Sequence, residues 1–147
     1  MQFDHVALVV DVLSRGRSAL EMGYGVNRWT EEYSDEINEV WVQFGSDAEG
    51  LCYELIAPLS SNSPVLRSQR RAMNITNHVA FRVPSLADKC VQLVSKGFYP
   101  VSHPKPAIAF GGARIQFFVS PINSLIELIE APCHKHIYRN LSIHGVQ

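Results

Sequence analysis

The sequence predicts a single α+β domain built from two tandem copies of one strand–helix–strand module. Three observations carry this prediction. Short motifs return in the second half of the chain at one constant interval, and both halves have the same order of strand-like and helix-like segments. The 147 residues, of which 46% are hydrophobic, are also enough to bury one core that both modules share.

The repeat is visible as paired motifs in one register. Asp4 to Ala7 (DHVA) returns as Asn77 to Ala80 (NHVA), and Glu54 to Ile56 returns as Glu127 to Ile129. The differences 78 − 5, 127 − 54 and 116 − 43 all equal 73, which relates the pairs His5 and His78, Glu54 and Glu127, and Gln43 and Gln116. Several matches in one register along a whole chain indicate a duplicated module.

The first copy opens with a run of alternating character from Gln2 to Val10, which predicts a strand. A helix is predicted from Leu13 to Met22, and Gly23 is expected to end it because helices favour glycine at their C-terminus. Two further strand-like runs, Glu39 to Gly45 and Leu51 to Ala57, complete this copy.

The second copy repeats this order. The run Thr76 to Val83 predicts a strand, and Leu86 to Lys96 predicts a helix with Ser85 as its N-cap and Gly97 at its end. Two strand-like runs follow, Ala113 to Ser120 and Ser124 to Ile129.

These elements set the domain limits. We expect one domain over residues 1–132, made of module 2–58 and module 76–132 and joined by a turn-rich linker, 59–75. The tail, 133–147, has no partner in the first copy and is predicted to be an appendage. It contains Cys133-His134-Lys135-His136, but ligands on an exposed tail are usually solvated, so we expect no second metal site there.

Composition excludes several classes of function. The formal net charge is −1 and the charges are mixed, so no basic surface for nucleic acid or for a membrane is expected. Three cysteines at irregular spacings do not suggest a disulfide framework. Because no leader peptide precedes the first strand, we expect a cytoplasmic protein.

The two matched glutamates lie in apolar surroundings. Residues two apart share a face of a strand, so Glu54 shares its face with Cys52 and Ile56, and Glu127 is flanked by leucine and isoleucine in the same way. An ionised carboxylate on such a face is costly unless a cation or a set of hydrogen bonds compensates it.

Two matched histidines complete a candidate metal site. If each opening strand pairs with its closing strand, His5 approaches Glu54 and His78 approaches Glu127. Imidazole and carboxylate ligands suit one divalent transition metal, which could be Ni, Co, Mn, Zn or Fe. The alternatives are hydrogen-bonded structural histidines, or a degenerate site that has kept these residues and lost its metal.

With this pattern in view, the chain resembles the glyoxalase / bleomycin-resistance / dioxygenase superfamily, also called the vicinal oxygen chelate family. The resemblance covers roughly residues 2–132. It is closest to the methylmalonyl-CoA epimerase branch in the segments ELIAPL (54–59), SPVL (63–66), NHVAF (77–81), FGGAR (110–114) and LIELIE (125–130). The His, Glu, His, Glu ligand set is similar to that of bacterial glyoxalase, whereas the epimerases often have Gln where Glu54 stands.

The resemblance implies two βαβββ modules that form a half-open barrel around a shared cup, with the metal at its bottom. It also implies a lyase or isomerase that abstracts a proton next to a carbonyl, with Glu127 or Glu54 as the catalytic base. The alternatives are a metal-free binding protein of the antibiotic-resistance type and an Fe(II) dioxygenase. Because half-barrels leave strand edges, we also expect a homodimer.

One position departs from the epimerase pattern. Alignment puts Trp41 where the epimerases carry a catalytic glutamate, although a small slip would put Glu39 there. With Trp41 in place, two-base epimerisation of methylmalonyl-CoA is expected to fail. We expect a substrate pocket formed by Trp41 and Gln43 from the first copy and by Arg114 and Gln116 from the second.

Overall fold

A computed structural model describes residues 1–67 and 76–140 of the chain. Two complete α-helices lie in these ranges, α1 (Leu13–Tyr24) and α2 (Leu86–Val94), with a short 3-10 helix at Ile108–Phe110. The strands of the first half are β1 (Gln2–Val9), β2 (Arg28–Trp29), β3 (Tyr33–Asp35), β4 (Val40–Ser46) and β5 (Cys52–Pro58). Those of the second half are β6 (Thr76–Arg82), β7 (Tyr99–Pro100), β8 (Lys105–Pro106), β9 (Arg114–Val119), β10 (Leu125–Ile129) and β11 (Arg139–Asn140).

The two modules have the same internal register. Strand β1 pairs in parallel with β5, with Ala7 opposite Glu54, and β6 pairs in parallel with β10, with Ala80 opposite Glu127. These two pairings are related by the interval of the sequence repeat. Strands β1 and β6 then pair antiparallel and join the modules into one sheet. The predicted α+β fold of two similar modules is confirmed.

The sheet is open. Its order is β11-β2-β4-β5-β1-β6-β10-β9-β7, with β3 beside β4 and β8 beside β9. Within the described residues the two end strands do not pair with each other. The eight residues 68–75 of the predicted linker and residues 141–147 of the predicted tail lie outside the described chain.

The first helix ends later than predicted. It continues through Gly23 to Tyr24, and Gly25 adopts the left-handed conformation with φ of 71° that terminates it. Both glycines satisfy the sequence rule, and only the backbone conformation distinguishes them. The second helix begins as predicted, since Ser85 accepts a hydrogen bond from the Asp88 amide, and ends at Val94.

Two apolar layers position the site. Each helix packs on one face of its own module, α1 over Leu55 and Trp29 and α2 over Phe118 and Leu128. The opposite faces of both modules contribute to one shared cluster that includes Val42, Phe44, Ile56, Ala80, Phe110 and Ile115. Neither helix in the described ranges has the length and apolar character needed to cross a bilayer.

Candidate metal centre

Four buried side chains converge where the central strands of the two modules meet. The Nε2 atoms of His5 and His78 are 3.4 Å apart. Glu54 Oε2 lies 3.2 Å from His5 Nε2 and 3.5 Å from His78 Nε2. Glu127 Oε2 lies 3.5 and 3.3 Å from the same two nitrogens. All four residues are at most 6% exposed.

The pairing of the strands explains this convergence. Each glutamate lies on a strand parallel to the one that carries its histidine, and the antiparallel pairing of β1 with β6 brings the two pairs together. The residues opposite the glutamates are Ala7 and Ala80, whose small side chains leave room for the larger ones. The structure therefore brings together the four residues predicted from the repeat, within one chain.

The donor atoms fit a divalent cation. Ligands about 2.0–2.1 Å from an ion lie roughly 2.8–3.0 Å apart in octahedral geometry and roughly 3.3–3.4 Å apart in tetrahedral geometry. The observed separations of 3.2 to 3.5 Å are close to the tetrahedral values. The Oε2 atoms of Glu54 and Glu127 are buried and have no hydrogen-bond partner among the described residues. Two orphaned carboxylate oxygens facing two imidazole nitrogens fit a transition metal.

Each histidine is oriented by the residue before it. His5 Nδ1 lies 2.8 Å from Asp4 Oδ1, and His78 Nδ1 lies 2.9 Å from Asn77 Oδ1. With Nδ1 donating its proton to these oxygens, Nε2 is left free to bind a metal, as in most metal-ligating histidines. The Asp or Asn that precedes each His is the sequence signal for this orientation, in addition to marking the duplication.

Charge is concentrated around His5. Burial alone would lower the pKa of His5, but the carboxylates of Glu54, Asp4 and Glu127 outweigh burial and raise that pKa to about 10. Burial would likewise raise the pKa of Asp4, yet hydrogen bonds from His136 and His5 hold it well below its usual range. Without a metal, His5 is therefore the positive charge that compensates the buried carboxylates.

A cavity of about 730 Å³ opens onto the site. Glu54, His78 and Glu127 line it together with apolar side chains from both modules, which include Val42, Ile56, Ile115 and Phe117. A small molecule entering this cavity would meet the ionisable cluster together with these apolar walls. This combination is typical of ligand sites.

Comparison with known proteins places the fold. A model of the Glyoxalase/Bleomycin resistance protein/Dioxygenase superfamily matches residues 4–117, which is more than half of the chain. The chain belongs to this superfamily. Its members typically bind a divalent metal, and the His and Glu cluster is a group that could hold a metal ion. No curated protein matched the sequence.

Solved structures agree on the fold. Methylmalonyl-CoA epimerase from Mycobacterium tuberculosis is 22% identical, with a TM-score of 0.73 over 87% of this chain and 86% of that chain. A hypothetical protein from Bacillus halodurans C-125 is 20% identical, with a TM-score of 0.76 over 95% and 98%. A Streptomyces coelicolor methylmalonyl-CoA epimerase in complex with 2-nitronate-propionyl-CoA is 19% identical, with a TM-score of 0.70 over 88% and 96%. At these identities the likeness establishes the fold alone.

The four residues predicted to bind substrate do not line the cavity of this superfamily member. The lining residues of β4 are Val40 and Val42, and those of β9 are Ile115 and Phe117. Side chains alternate along a strand, so the predicted residues Trp41, Gln43, Arg114 and Gln116 lie on the opposite face. The prediction is thus wrong by one position on each strand, because the neighbours of the predicted residues line the cavity.

The two glutamines instead hold loops against the sheet. Gln43 Nε2 donates to the Thr30 carbonyl and Gln116 Nε2 donates to the Ser102 carbonyl, both at 3.0 Å. The hydroxyls of Thr30 and Ser102 in turn accept from the amides of the next strand residues, at 3.1 and 2.9 Å. The matched glutamines therefore mark a duplicated structural contact. Arg114 is ion-paired with Glu130 at 2.6 Å on the exposed side of β9.

Glu39 lines the cavity although Trp41 does not. The backbone of Glu39 has a φ of 56°, which interrupts the strand alternation just before β4 begins at Val40. Within the described ranges no hydrogen bond or ion pair is made by its carboxylate. Glu39, the alternative to Trp41 in the sequence alignment, is thus the residue that can contact a molecule in the cavity.

The beginning of the tail is not a free appendage. The His136 side chain is 7% exposed, and its Nε2 lies 2.9 Å from Asp4 Oδ1. Its ring stacks on Phe44 with a centroid distance of 4.2 Å. The expectation of a solvated tail is therefore wrong for this residue, because a neighbouring carboxylate and an aromatic face both bind it.

Proposed function

We propose that this protein is a metal-dependent isomerase or lyase that abstracts a proton next to a carbonyl group of a small substrate. The observation that carries the proposal is the pair of buried, unpartnered carboxylate oxygens facing two imidazole nitrogens at the end of a cavity. Such a cluster is costly to bury unless a cation binds it. His5, Glu54, His78 and Glu127 are the proposed ligands.

A divalent cation at this site would supply Lewis-acid polarisation of a substrate carbonyl and would lower the energy of the negative charge that develops on its oxygen. The ligand set favours Ni, Co, Mn, Zn or Fe over Mg and Ca, because two of the four donors are imidazole nitrogens. Two carboxylates also neutralise the charge of a divalent ion.

The chain's own residues handle the proton. Glu127 and Glu54 line the cavity and can accept a proton through the carboxylate oxygen that does not bind the cation. Glu39 is a further carboxylate that lines the same cavity, and it is not one of the proposed metal ligands. A carboxylate from β10 and one from the turn before β4 would permit proton removal and return by different groups. With Glu39 as the second base, a reaction that uses two bases becomes possible, although Trp41 stands where the epimerases carry their catalytic glutamate.

The apolar walls restrict the substrate. Val42, Ile56, Ile115 and Phe117 limit the access of water to the reacting carbon, which strengthens electrostatic interactions at the site. We propose a substrate with a chelating carbonyl end and an apolar or extended remainder. Acyl thioesters and 2-oxo acids both meet this description and are the first compounds to test.

The decisive experiment combines metal content with proton exchange. Protein purified without chelators and loaded with Co, Ni, Mn or Zn should bind about one ion per chain, and Glu127→Ala should lose it. The loaded protein should exchange the proton beside the carbonyl in deuterated water, followed by NMR. Arg114→Gln is the matched control, since Arg114 lies on the exposed face of β9 and should leave both readouts unchanged.

Two outcomes would contradict the proposal. Protein that takes up none of the four metals would favour the alternative of a metal-free binding protein. Exchange that persists unchanged in Glu127→Ala would exclude the proposed role of the ligand cluster in the reaction.

A further inference from the structure

The C-terminal segment is anchored beneath the metal centre at three points. His136 stacks on Phe44. The Tyr138 hydroxyl donates to Cys52 Sγ at 3.0 Å, and Arg139 pairs with Trp29 in the antiparallel β11–β2 ladder. Phe44 and Cys52 belong to the apolar cluster around the four proposed ligands. The segment is therefore part of the structure that supports the site.

Asp4 is the point at which this segment reaches a proposed ligand. Its Oδ1 lies 2.8 Å from His5 Nδ1 and 2.9 Å from His136 Nε2, and its Oδ2 lies 2.9 Å from Arg82 Nε. The Asp4 side chain is 3% exposed, so water does not substitute for these partners. Hydrogen bonds from two imidazoles and an ion pair with one guanidinium fix the rotation of the carboxylate, and the carboxylate fixes the imidazole of His5.

A second metal at Asp4, His5 and His136 would be the other reading of this cluster, since their donor atoms lie within 4.8 Å of one another. The positive guanidinium of Arg82 on Asp4 opposes a second cation there. The separations of 2.8 and 2.9 Å are also those of direct hydrogen bonds, so both imidazoles already have the Asp4 carboxylate as their partner.

Among the described residues, the second module has no equivalent of this network. There Asn77, a neutral amide, accepts from His78 Nδ1, and the described residues show no imidazole or guanidinium bonded to Asn77. The two histidines are thus matched by the repeat but supported differently. Among the described residues, the additional support of His5 includes His136, which lies beyond the repeat.

We propose that His136 is a positioning residue for the metal centre, which donates Nε2–H to Asp4 and so holds the carboxylate that orients His5. The proposal rests on the proposed metal site. Outer-shell partners of ligating histidines typically change metal affinity by 10–100-fold when they are removed. His136 acts one bond further out than Asp4, so we expect about a tenfold loss, at the lower end of that range.

The test measures metal affinity rather than turnover. Wild type, His136→Leu, His136→Gln and His136→Asn are titrated with Co²⁺ in competition with a chromophoric chelator, and the cobalt d–d absorption is recorded. Gln reaches as far as the imidazole Nε2 and keeps a donor there, whereas Asn is too short and Leu has no donor. We expect about tenfold weaker binding and a shifted cobalt band for Leu and Asn, with Gln near wild type.

The matched control is His134→Leu. His134 is in the same segment and packs edge-on against Phe110, but its ring is not bonded to Asp4. A purely structural role of the segment would lower affinity in His134→Leu and His136→Leu alike, and would not separate Gln from Asn.

The outcomes separate the two proposals. Wild type that binds no Co²⁺ overturns the metal site and this inference with it. Wild type that binds Co²⁺, with His136→Leu within twofold of it, overturns the inference alone. If His136→Leu does not fold, the comparison of Gln with Asn decides, and equal affinities for those two variants overturn the inference.

Discussion

Metal binding should displace a proton from His5, and this can be measured directly. In the metal-free protein the surrounding carboxylates raise the pKa of His5 to about 10. At pH 8 His5 is then mostly protonated, whereas an imidazole with an ordinary pKa near 6.5 is already mostly neutral. Because Nε2 must lose its proton to bind a cation, about one proton should leave per metal bound.

The same pKa fixes the pH dependence. Below pH 10 the apparent affinity should rise about tenfold per pH unit, since each unit exposes ten times more of the neutral imidazole. The stability of the metal-free protein depends on pH in the opposite direction. A His5 pKa above its unfolded value stabilises the metal-free protein fully below about pH 6.5, and that contribution is lost as pH rises through about 10.

The assay is isothermal titration calorimetry at pH 8 in buffers of different ionisation enthalpy. The slope of observed enthalpy against buffer enthalpy gives the number of protons released. Glu54→Gln is the informative control, because Glu54 is the largest of the causes that raise the pKa of His5. Glu54→Gln should still bind metal, but its slope of observed enthalpy against buffer enthalpy should be smaller, because His5 then has fewer protons to release. A wild-type slope near zero would refute the electrostatic account of His5.

Four further predictions follow from the described contacts. Glu39→Gln should lower proton exchange by about 10²–10⁴-fold without loss of metal, the usual range for a removed general base, and the exposed Glu36→Gln should not. Gln43→Leu should lower the free energy of unfolding by about 1–3 kcal/mol in urea melts and leave metal affinity unchanged, because it removes the bond to Thr30. Gly25→Ala should destabilise the protein because of its φ of 71°, whereas Gly23→Ala, inside α1 with no atom within 4 Å, should stabilise it slightly in the same melts. Sedimentation velocity should give a homodimer, and a monomer at all working concentrations would contradict the expectation from exposed strand edges.

The sequence was sufficient for the fold and for the convergence of four residues because both depend on the repeat. A motif repeated at 73 residues fixes which strands correspond, and parallel pairing within each module then follows from the order of elements. The same repeat misled the prediction of the pocket. Gln43 and Gln116 recur because each module needs a loop tied to its sheet, and recurrence does not distinguish such a contact from a binding residue.

The residues that line the cavity could not be recognised from the sequence, because their apolar pattern is the same as that of core residues. Val42 and Ile115 alternate with other residues as in any half-buried strand, so the sequence pattern predicts that the opposite face is the functional one. Glu39 was hard to place for a different reason. Its left-handed backbone conformation breaks the alternation at the start of β4, and no glycine or asparagine marks the position.

The difference between the two histidines leads to a last prediction, which tests the charge on their supporting residues. Asp4→Asn would make the first module resemble the second, since Asn77 already performs this role for His78. In this context we expect metal affinity to fall by about 10–100-fold, because a carboxylate raises the basicity of a ligating imidazole more than an amide does. The change also leaves Arg82 without its buried counter-charge, so stability must be measured alongside.

Asn77→Asp is the reciprocal variant and separates these effects. It adds a carboxylate behind His78, with no cation displaced, and should raise affinity for Co²⁺ in the chelator competition. Equal and opposite shifts in metal affinity in the two variants would assign the effect to the charge of the side chain that accepts from Nδ1. If Asp4→Asn weakens binding and Asn77→Asp does not strengthen it, the role of Asp4 depends on its network with His136 and Arg82 rather than on its charge alone.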